Sequence, residues 1–162
     1  MINKLTLQSA INKYHLGEIE SVKWTVKDNT LSVDFMSLNK EIIGKLIYNN
    51  FTVEDCELAV FDTKKLLNLI NITSGDLLIS LEKVKSINTK LHIADNSYNL
   101  TYALADPLLI AKPGTVNEPE WDVILPLERE FVDHLIKAKS ALQGVDNMTI
   151  TPTKDLNVFF FF

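Results

Sequence analysis

The sequence predicts an α+β fold in which helices pack on one face of antiparallel sheets. Two observations carry that expectation. Across residues 56–113 a strand passes into a capped helix, alternating strands follow, and the unit closes on Leu104-Ala105-Asp106-Pro107. After a proline-bearing linker the same strand-then-helix order starts again over residues 121–143. Two copies of one small unit, with lysines on the outer faces of their helices, describe a scaffold better than an active site.

The elements follow in order. Leu7, Ala10, Ile11 and Tyr14 recur at the spacing of one helix face. Lys4, Gln8, Asn12, Lys13 and His15 fall on the other sides, and Gly17 supplies a stop. Three alternating segments come next: Val22, Trp24, Val26; then Leu31, Val33, Phe35; then Ile43, Leu46, Tyr48. Lys27-Asp28-Asn29-Thr30 suits the turn between the first two, because Asp and Asn tolerate hairpin geometry. The result is a β-meander behind a helix.

Residues 56–61 form a further strand, with Leu58 and Val60 on one face. Asp62 is an N-cap, and Phe61 and Leu66 take the two positions of a hydrophobic staple. Leu66, Leu67 and Ile70 then face the core, while Lys64, Lys65 and Asn68 point elsewhere. Strands over 77–81, 90–94 and 98–104 complete the unit. Pro107 ends it, since proline cannot donate to a ladder.

Residues 110–120 carry two prolines and a glycine, the composition of a crossing linker with extended geometry. Beyond it lie a strand over 121–127 and a helix whose stripe is Leu127, Phe131, Leu135, Ala138 and Leu142, ended by Gly144. Two strands, 148–151 and 156–162, flank Pro152-Thr153-Lys154-Asp155. The last of these finishes on Phe159-Phe160-Phe161-Phe162, an aggregation hazard on an unpaired edge. Such a strand is either covered or continued in a longer parent chain, and the second is the expectation.

Composition bounds the function. The chain has 162 residues, 46% hydrophobic and 23% charged, enough for one domain or two small ones. One cysteine, Cys56, excludes an internal disulfide framework and multi-cysteine zinc motifs, and it suits a reducing cytoplasm. No apolar run reaches the ~20 residues of a membrane helix, and the first residues lack a secretory signal's apolar core. The protein reads as soluble and unexported, with no membrane partner. With 16 basic against 21 acidic residues the net charge is −5, so any contact with DNA needs a local basic face.

Catalytic motifs are lacking. No GxSxG, Walker loop or GxGxxG occurs, and 5 glycines leave little material for a phosphate cradle. His15, His92 and His134 are too far apart in sequence for a metal-ligand spacing, so neither metal nor cofactor is expected. Cys56 reads as a small core residue rather than a nucleophile. The chain is read as a non-enzyme.

Taken together, Leu58-to-Ile72 (LAVFDTKKLLNLINI), the strand KLHIAD closing on Asp95, and ALADPLLIAKP leading into the linker resemble the sliding clamp of T-even-type bacteriophages. The helix over 128–143 followed by NMTITP also fits the opening of that clamp's second domain. The similarity is diffuse but colinear from Leu5 to Phe162, and most matched positions are apolar. What the resemblance implies is a DNA-clamp fold of βαβββ units, two per domain, with an N-terminal domain (1–109), a connector (110–120) and a partial C-terminal domain (121–162). It implies a polymerase processivity factor: a homotrimeric ring closed head to tail around duplex DNA, independent of sequence, in the cytoplasm of an infected bacterium. The implied partners are DNA polymerase, a clamp-loader ATPase, and late transcription. A clamp subunit of that family needs four such units, so the resemblance also implies that the last one is missing after Phe162 and leaves ring closure by this chain open.

The resemblance turns Lys13, Lys64, Lys65, Arg129, Lys137 and Lys139 toward DNA phosphates, where composition alone favours ordinary solvated faces. It also makes Leu109, Ile110, Val116 and Trp121, around the connector, candidates for a groove that takes a partner's short peptide. Packing between two domains explains the same residues equally well. The alternative function is a clamp-like interaction adapter that binds proteins without encircling DNA.

Overall fold

The computed structural model describes residues 1–114, 120, 124, 126–142, 144, 149–152 and 158–161. The chain divides into two compact units, Met1–Asn117 and Glu118–Phe162. The first unit runs α1 (Lys4–His15), β1 (Val22–Lys27), β2 (Thr30–Met36), β3 (Ile43–Asn49), β4 (Cys56–Val60), α2 (Thr63–Ile72), β5 (Leu78–Val84), β6 (Ile87–Ala94) and β7 (Asn99–Ala103). A 3-10 turn at Pro107–Leu109 follows.

Two antiparallel sheets result, one in the order β3-β2-β1-β4 and one in the order β5-β6-β7. Ile2 bridges Leu77 ahead of α1, so the unit contains the pattern βαβββ twice. The first copy is Ile2, α1 and β1–β3. The second is β4, α2 and β5–β7. A bridge between Ala59 and Ala105 ties the end of the second copy back to β4.

One core cluster joins both copies. Leu7, Ile11 and Tyr14 from α1 and Leu66 and Ile70 from α2 bury against Trp24, Val33, Leu58, Leu91 and Ile93. The indole N–H of Trp24 donates to the Tyr14 hydroxyl at 3.2 Å, which satisfies both polar groups inside that cluster. Burial pushes the Tyr14 phenol well above its ordinary range. The ring of Phe51 meets Trp24 edge-on at 5.8 Å.

Local chemistry places the turns. Asp28 and Asn29 hold φ of 50° and 58°, the pair of left-handed residues that a two-residue hairpin between β1 and β2 requires. Gly44 faces Phe35 across the β2–β3 ladder, and a Cβ there would lie 2.4 Å from the Phe35 ring. The ring therefore covers the glycine and completes the sheet surface that glycine leaves bare.

Three expectations are corrected. His15 is buried rather than outward: the chain turns left-handed at Leu16 and brings the Ile19 carbonyl within 3.0 Å of His15 Nδ1. The strand expected over 56–61 ends at Val60, and Phe61 lies beyond it, partly exposed with its ring 5.9 Å from that of Tyr102. In the second unit Ile124, Pro126 and Leu127 belong to no strand, and Pro126 has no N–H to give to a ladder. The rest of that expected strand, residues 121–123 and 125, lies outside the described residues.

The second unit holds α3 (Arg129–Ala141), β8 (Thr149–Pro152) and β9 (Val158–Phe161), the strands paired antiparallel. On α3, Phe131, Leu135 and Ala138 are half-buried, whereas Leu127 and Leu142, expected on the same stripe, are exposed. Both fall just outside the helix bounds, where the stripe has no turn to continue on.

Candidate nucleic-acid and partner interfaces

α1 and α2 lie antiparallel, side by side. The Lys4 ammonium donates to the Asn71 carbonyl at 3.0 Å and to that of Thr73, capping the end of α2. At the other end, the Thr63 and Lys64 amides donate to the Glu20 carbonyl and carboxylate at 3.0 and 2.9 Å, just past the end of α1. The Lys65 amide donates to the Asp62 carboxylate at 2.8 Å, the N-cap expected from sequence.

Neither helix contains an Asp or Glu, although the chain as a whole carries 21 of them. Lys13, Lys64 and Lys65 are exposed on this layer, and their ammonium groups have no hydrogen bond or ion pair among the described residues. Lys64 and Lys65 sit in the first turn of α2, where the helix dipole already concentrates positive charge. Cations there are locally unfavourable. Because Glu20 and Asp62 occupy the free amides, an incoming anion would meet the lysine side chains and not the helix end itself.

Arg129, Lys137 and Lys139 are exposed on α3. That helix also carries Glu130 and Asp133, so its surface is mixed: three basic residues against two acidic ones. The structure thus brings Lys13, Lys64 and Lys65 onto one layer of the first unit, while the other three belong to the second unit.

The segment after the 3-10 turn crosses the first unit's outer sheet surface. Leu109 is 78% exposed, a large apolar side chain left to solvent. Together with half-buried Ile110 it faces Phe35, Met36 and Leu38 across a cavity of about 310 Å³. A second cleft of about 850 Å³ lies between Lys112–Gly114 and the β3 edge, lined by Lys40, Lys45, Asp34 and Glu41. Val116 and Trp121 lie outside the described residues. Sequence spacing could not foresee that 35–38 would oppose 109–110, because the two stretches meet only through the tertiary fold.

His92 and Cys56 are held by their own surroundings. His92 Nδ1 lies 3.1 Å from the Thr101 hydroxyl, and its other ring nitrogen 3.4 Å from Glu82. The Cys56 thiol is half-buried, and desolvation, reinforced by Glu54, pushes its pKa up to about 11. Among the described residues no cluster of three His, Cys, Asp or Glu side chains could hold a metal. No helix among them is long and apolar enough to cross a membrane.

No protein-family model matches the sequence, and no characterised protein sequence aligns with it significantly. Solved structures do match. The DNA polymerase III subunit beta from Pseudomonas aeruginosa superposes with a TM-score of 0.58 at 17% identity, over 92% of this chain and 42% of that one. A DNA polymerase sliding clamp from the same organism gives 0.50 at 19% identity, over 70% of this chain and 32% of its own. The same clamp with a ligand gives 0.51 at 16% identity, over 73% and 32%. The chain spans less than half the length of these clamps. At such identities the likeness establishes the fold: a mixed α and β architecture of antiparallel sheets, that of the sliding clamps.

Proposed function

We propose that this chain is a sliding-clamp subunit of the phage type, which closes into a homotrimeric ring around duplex DNA and tethers the replicative polymerase. The observation that carries the reading is the α1–α2 layer: helices free of carboxylates, bearing Lys13, Lys64 and Lys65 without a partner among the described residues, in a molecule of net charge −5. Charge has been segregated onto the helices of a clamp fold. Two of those lysines oppose the α2 dipole, and a local conflict of that kind is expected where function demands it. Arg129, Lys137 and Lys139 extend the DNA-facing set in the second domain.

The mechanism is mechanical and electrostatic, with no chemical turnover. Lysines that neutralise phosphates attract any duplex sequence, weakly and with a steep salt dependence. A closed ring needs no tight binding, because topology retains the DNA while weak contacts permit sliding. Tethering makes each return of the polymerase to the primer end intramolecular. Such a ring calls for a loader ATPase to open it, and the same platform would serve late viral transcription in the host cytoplasm.

In this reading residues 1–109 and 121–162 belong to two clamp domains, with 110–120 as the connector. The Leu109–Ile110 cavity is the docking groove for a partner's short apolar peptide. The test is native mass spectrometry with a primer-extension assay on circular single-stranded template. A stable trimer that lengthens polymerase products in the presence of a loader supports the reading. An obligate monomer without that effect overturns it and leaves the interaction adapter. The mixed surface of α3, with Glu130 and Asp133 beside its cations, is the observation that favours that second reading.

A further inference from the structure

Three cavities on the outer sheet surface of the first unit share Asp34 and Pro113. They form one groove roofed by the segment ending at Gly114. Its two ends differ in chemistry. One is apolar, at Leu109, Ile110, Met36 and Leu38. The other, the cleft of about 850 Å³, gathers Lys40, Lys45 and Lys112.

The ammonium groups of these three lysines have no hydrogen bond or ion pair among the described residues. By contrast, neighbouring Lys23, at the groove's other flank, is paired with Glu57 at 3.3 Å. The cleft also holds two carboxylates. That of Glu41 accepts from the Asn39 side-chain amide at 2.7 Å, and Asp34 stands opposite Lys45 in the β2–β3 register. Three cations against two carboxylates leave an excess of positive charge, on an otherwise acidic molecule. On the same face of the β3 edge, Ile43 and Ile47 are exposed on either side of Lys45. Apolar and basic groups therefore alternate along this face of β3, of which Ile43 and Lys45 line the cleft.

We propose that this groove docks a partner segment in which carboxylates alternate with apolar side chains, the carboxylates meeting Lys40, Lys45 and Lys112. This rests on the reading of Leu109 and Ile110 as a docking segment and adds the partner's charge to it. An apolar anchor supplies the affinity, and the lysines select the partner, as complementary charge does at an interface rim. A neutral segment of the same shape gains only the first contribution, and a basic segment is repelled.

Fluorescence anisotropy of the full chain tests it with two labelled peptides, one alternating Asp with Leu and one alternating Ser with Leu. At low ionic strength the acidic peptide is expected to bind about tenfold more tightly, the combined effect of three exposed charge pairs. Added salt shrinks that preference. The triple variant Lys40→Gln, Lys45→Gln, Lys112→Gln abolishes it, with circular dichroism and thermal unfolding unchanged. In Leu109→Ser both peptides weaken together. Equal binding of the two peptides, or an acidic preference that survives in the triple variant, overturns the charge selection while leaving the docking groove standing. Binding of neither peptide overturns both.

Discussion

Replacing Lys64 and Lys65 together by Gln separates a DNA-facing role from a structural one, because the two roles predict opposite signs of stability change. Each lysine sits in the first turn of α2 without a partner among the described residues, against the positive end of the dipole. Removing a charge there should stabilise by about 0.3–1 kcal/mol per residue at low ionic strength. The capping hydrogen bonds survive, since Glu20 and Asp62 accept from the backbone amides and not from the lysine side chains. For DNA the arithmetic runs the other way. Each phosphate contact contributes about 0.9 to the slope of log affinity against log salt, so Lys13, Lys64 and Lys65 together give about 2.7. Between 50 and 200 mM salt that slope is a loss of about 40-fold, against about 3.5-fold with Lys13 alone. The assays are urea denaturation and anisotropy of a labelled duplex across a salt series. The layer is refuted as a DNA surface if the slope stays where it was. If unfolding moves to lower urea by more than about 1 kcal/mol, the lysines are structural after all.

Four further outcomes follow from the geometry. Gly44→Ala puts a methyl group into the Phe35 ring, 2.4 Å away, and should cost about 1–2 kcal/mol in chemical denaturation as the ring is displaced; a neutral result would mean that Phe35 swings aside freely. The Tyr102 hydroxyl accepts from the Asp62 amide at 3.0 Å and donates to its carbonyl at 3.1 Å, so Tyr102→Phe should cost about 1–3 kcal/mol and fray the start of α2 in hydrogen exchange. The Cys56 thiol, with its pKa pushed up to about 11, should alkylate far more slowly at pH 8 than it does in denaturant, a difference mass spectrometry reads directly. The Asp95 carboxyl is held below the usual carboxylate range, first by the Ser74 amide and then by those of Ser97 and Tyr98. A depressed folded pKa stabilises above the unfolded value and fades as pH falls through the folded one. Asp95→Asn should therefore be less stable than its parent at neutral pH, with the gap closing in acid.

Periodicity exposed what local physics controls. The stripe of Leu7, Ala10, Ile11 and Tyr14 is buried as its spacing demands, and Asp62 caps α2 through the amide three residues on. The Asp28-Asn29 turn was legible because few residues accept two successive left-handed conformations. What escaped was tertiary. Lys4 looks like any solvated lysine, yet it caps a helix 67 residues away in sequence. His15 occupies an outward position on the helix wheel, and only the returning Ile19 carbonyl buries it. The groove between 35–38 and 109–110 has no signature in either stretch, since each contributes half of it. Lysines on α1 and α2 were visible in sequence, but their lack of partners among the described residues was not, and that distinction sets Lys13, Lys64 and Lys65 apart from Lys4.

Net charge and local charge give opposite answers about DNA here, and the fold decides between them. At physiological salt the Debye length is about 8 Å, so a phosphate senses the side chains within that reach and little beyond. An overall −5 spread around the molecule is screened at the helix layer, whereas an ammonium that reaches the phosphate is not. Two carboxylates that flank that layer, Glu20 and Asp62, are engaged by α2 amides. Their charge is partly offset by the helix end they cap. A carboxylate placed on the layer itself has no such compensation, so Asn12→Asp or Asn68→Asp, at exposed positions within α1 and α2, should weaken duplex association about as much as losing one lysine. Equivalent acidic substitutions on the outer sheet face, such as Thr25→Asp, should leave it unchanged. If both kinds of variant weaken DNA association equally, net charge governs the interaction and the helix layer holds no privileged place in it.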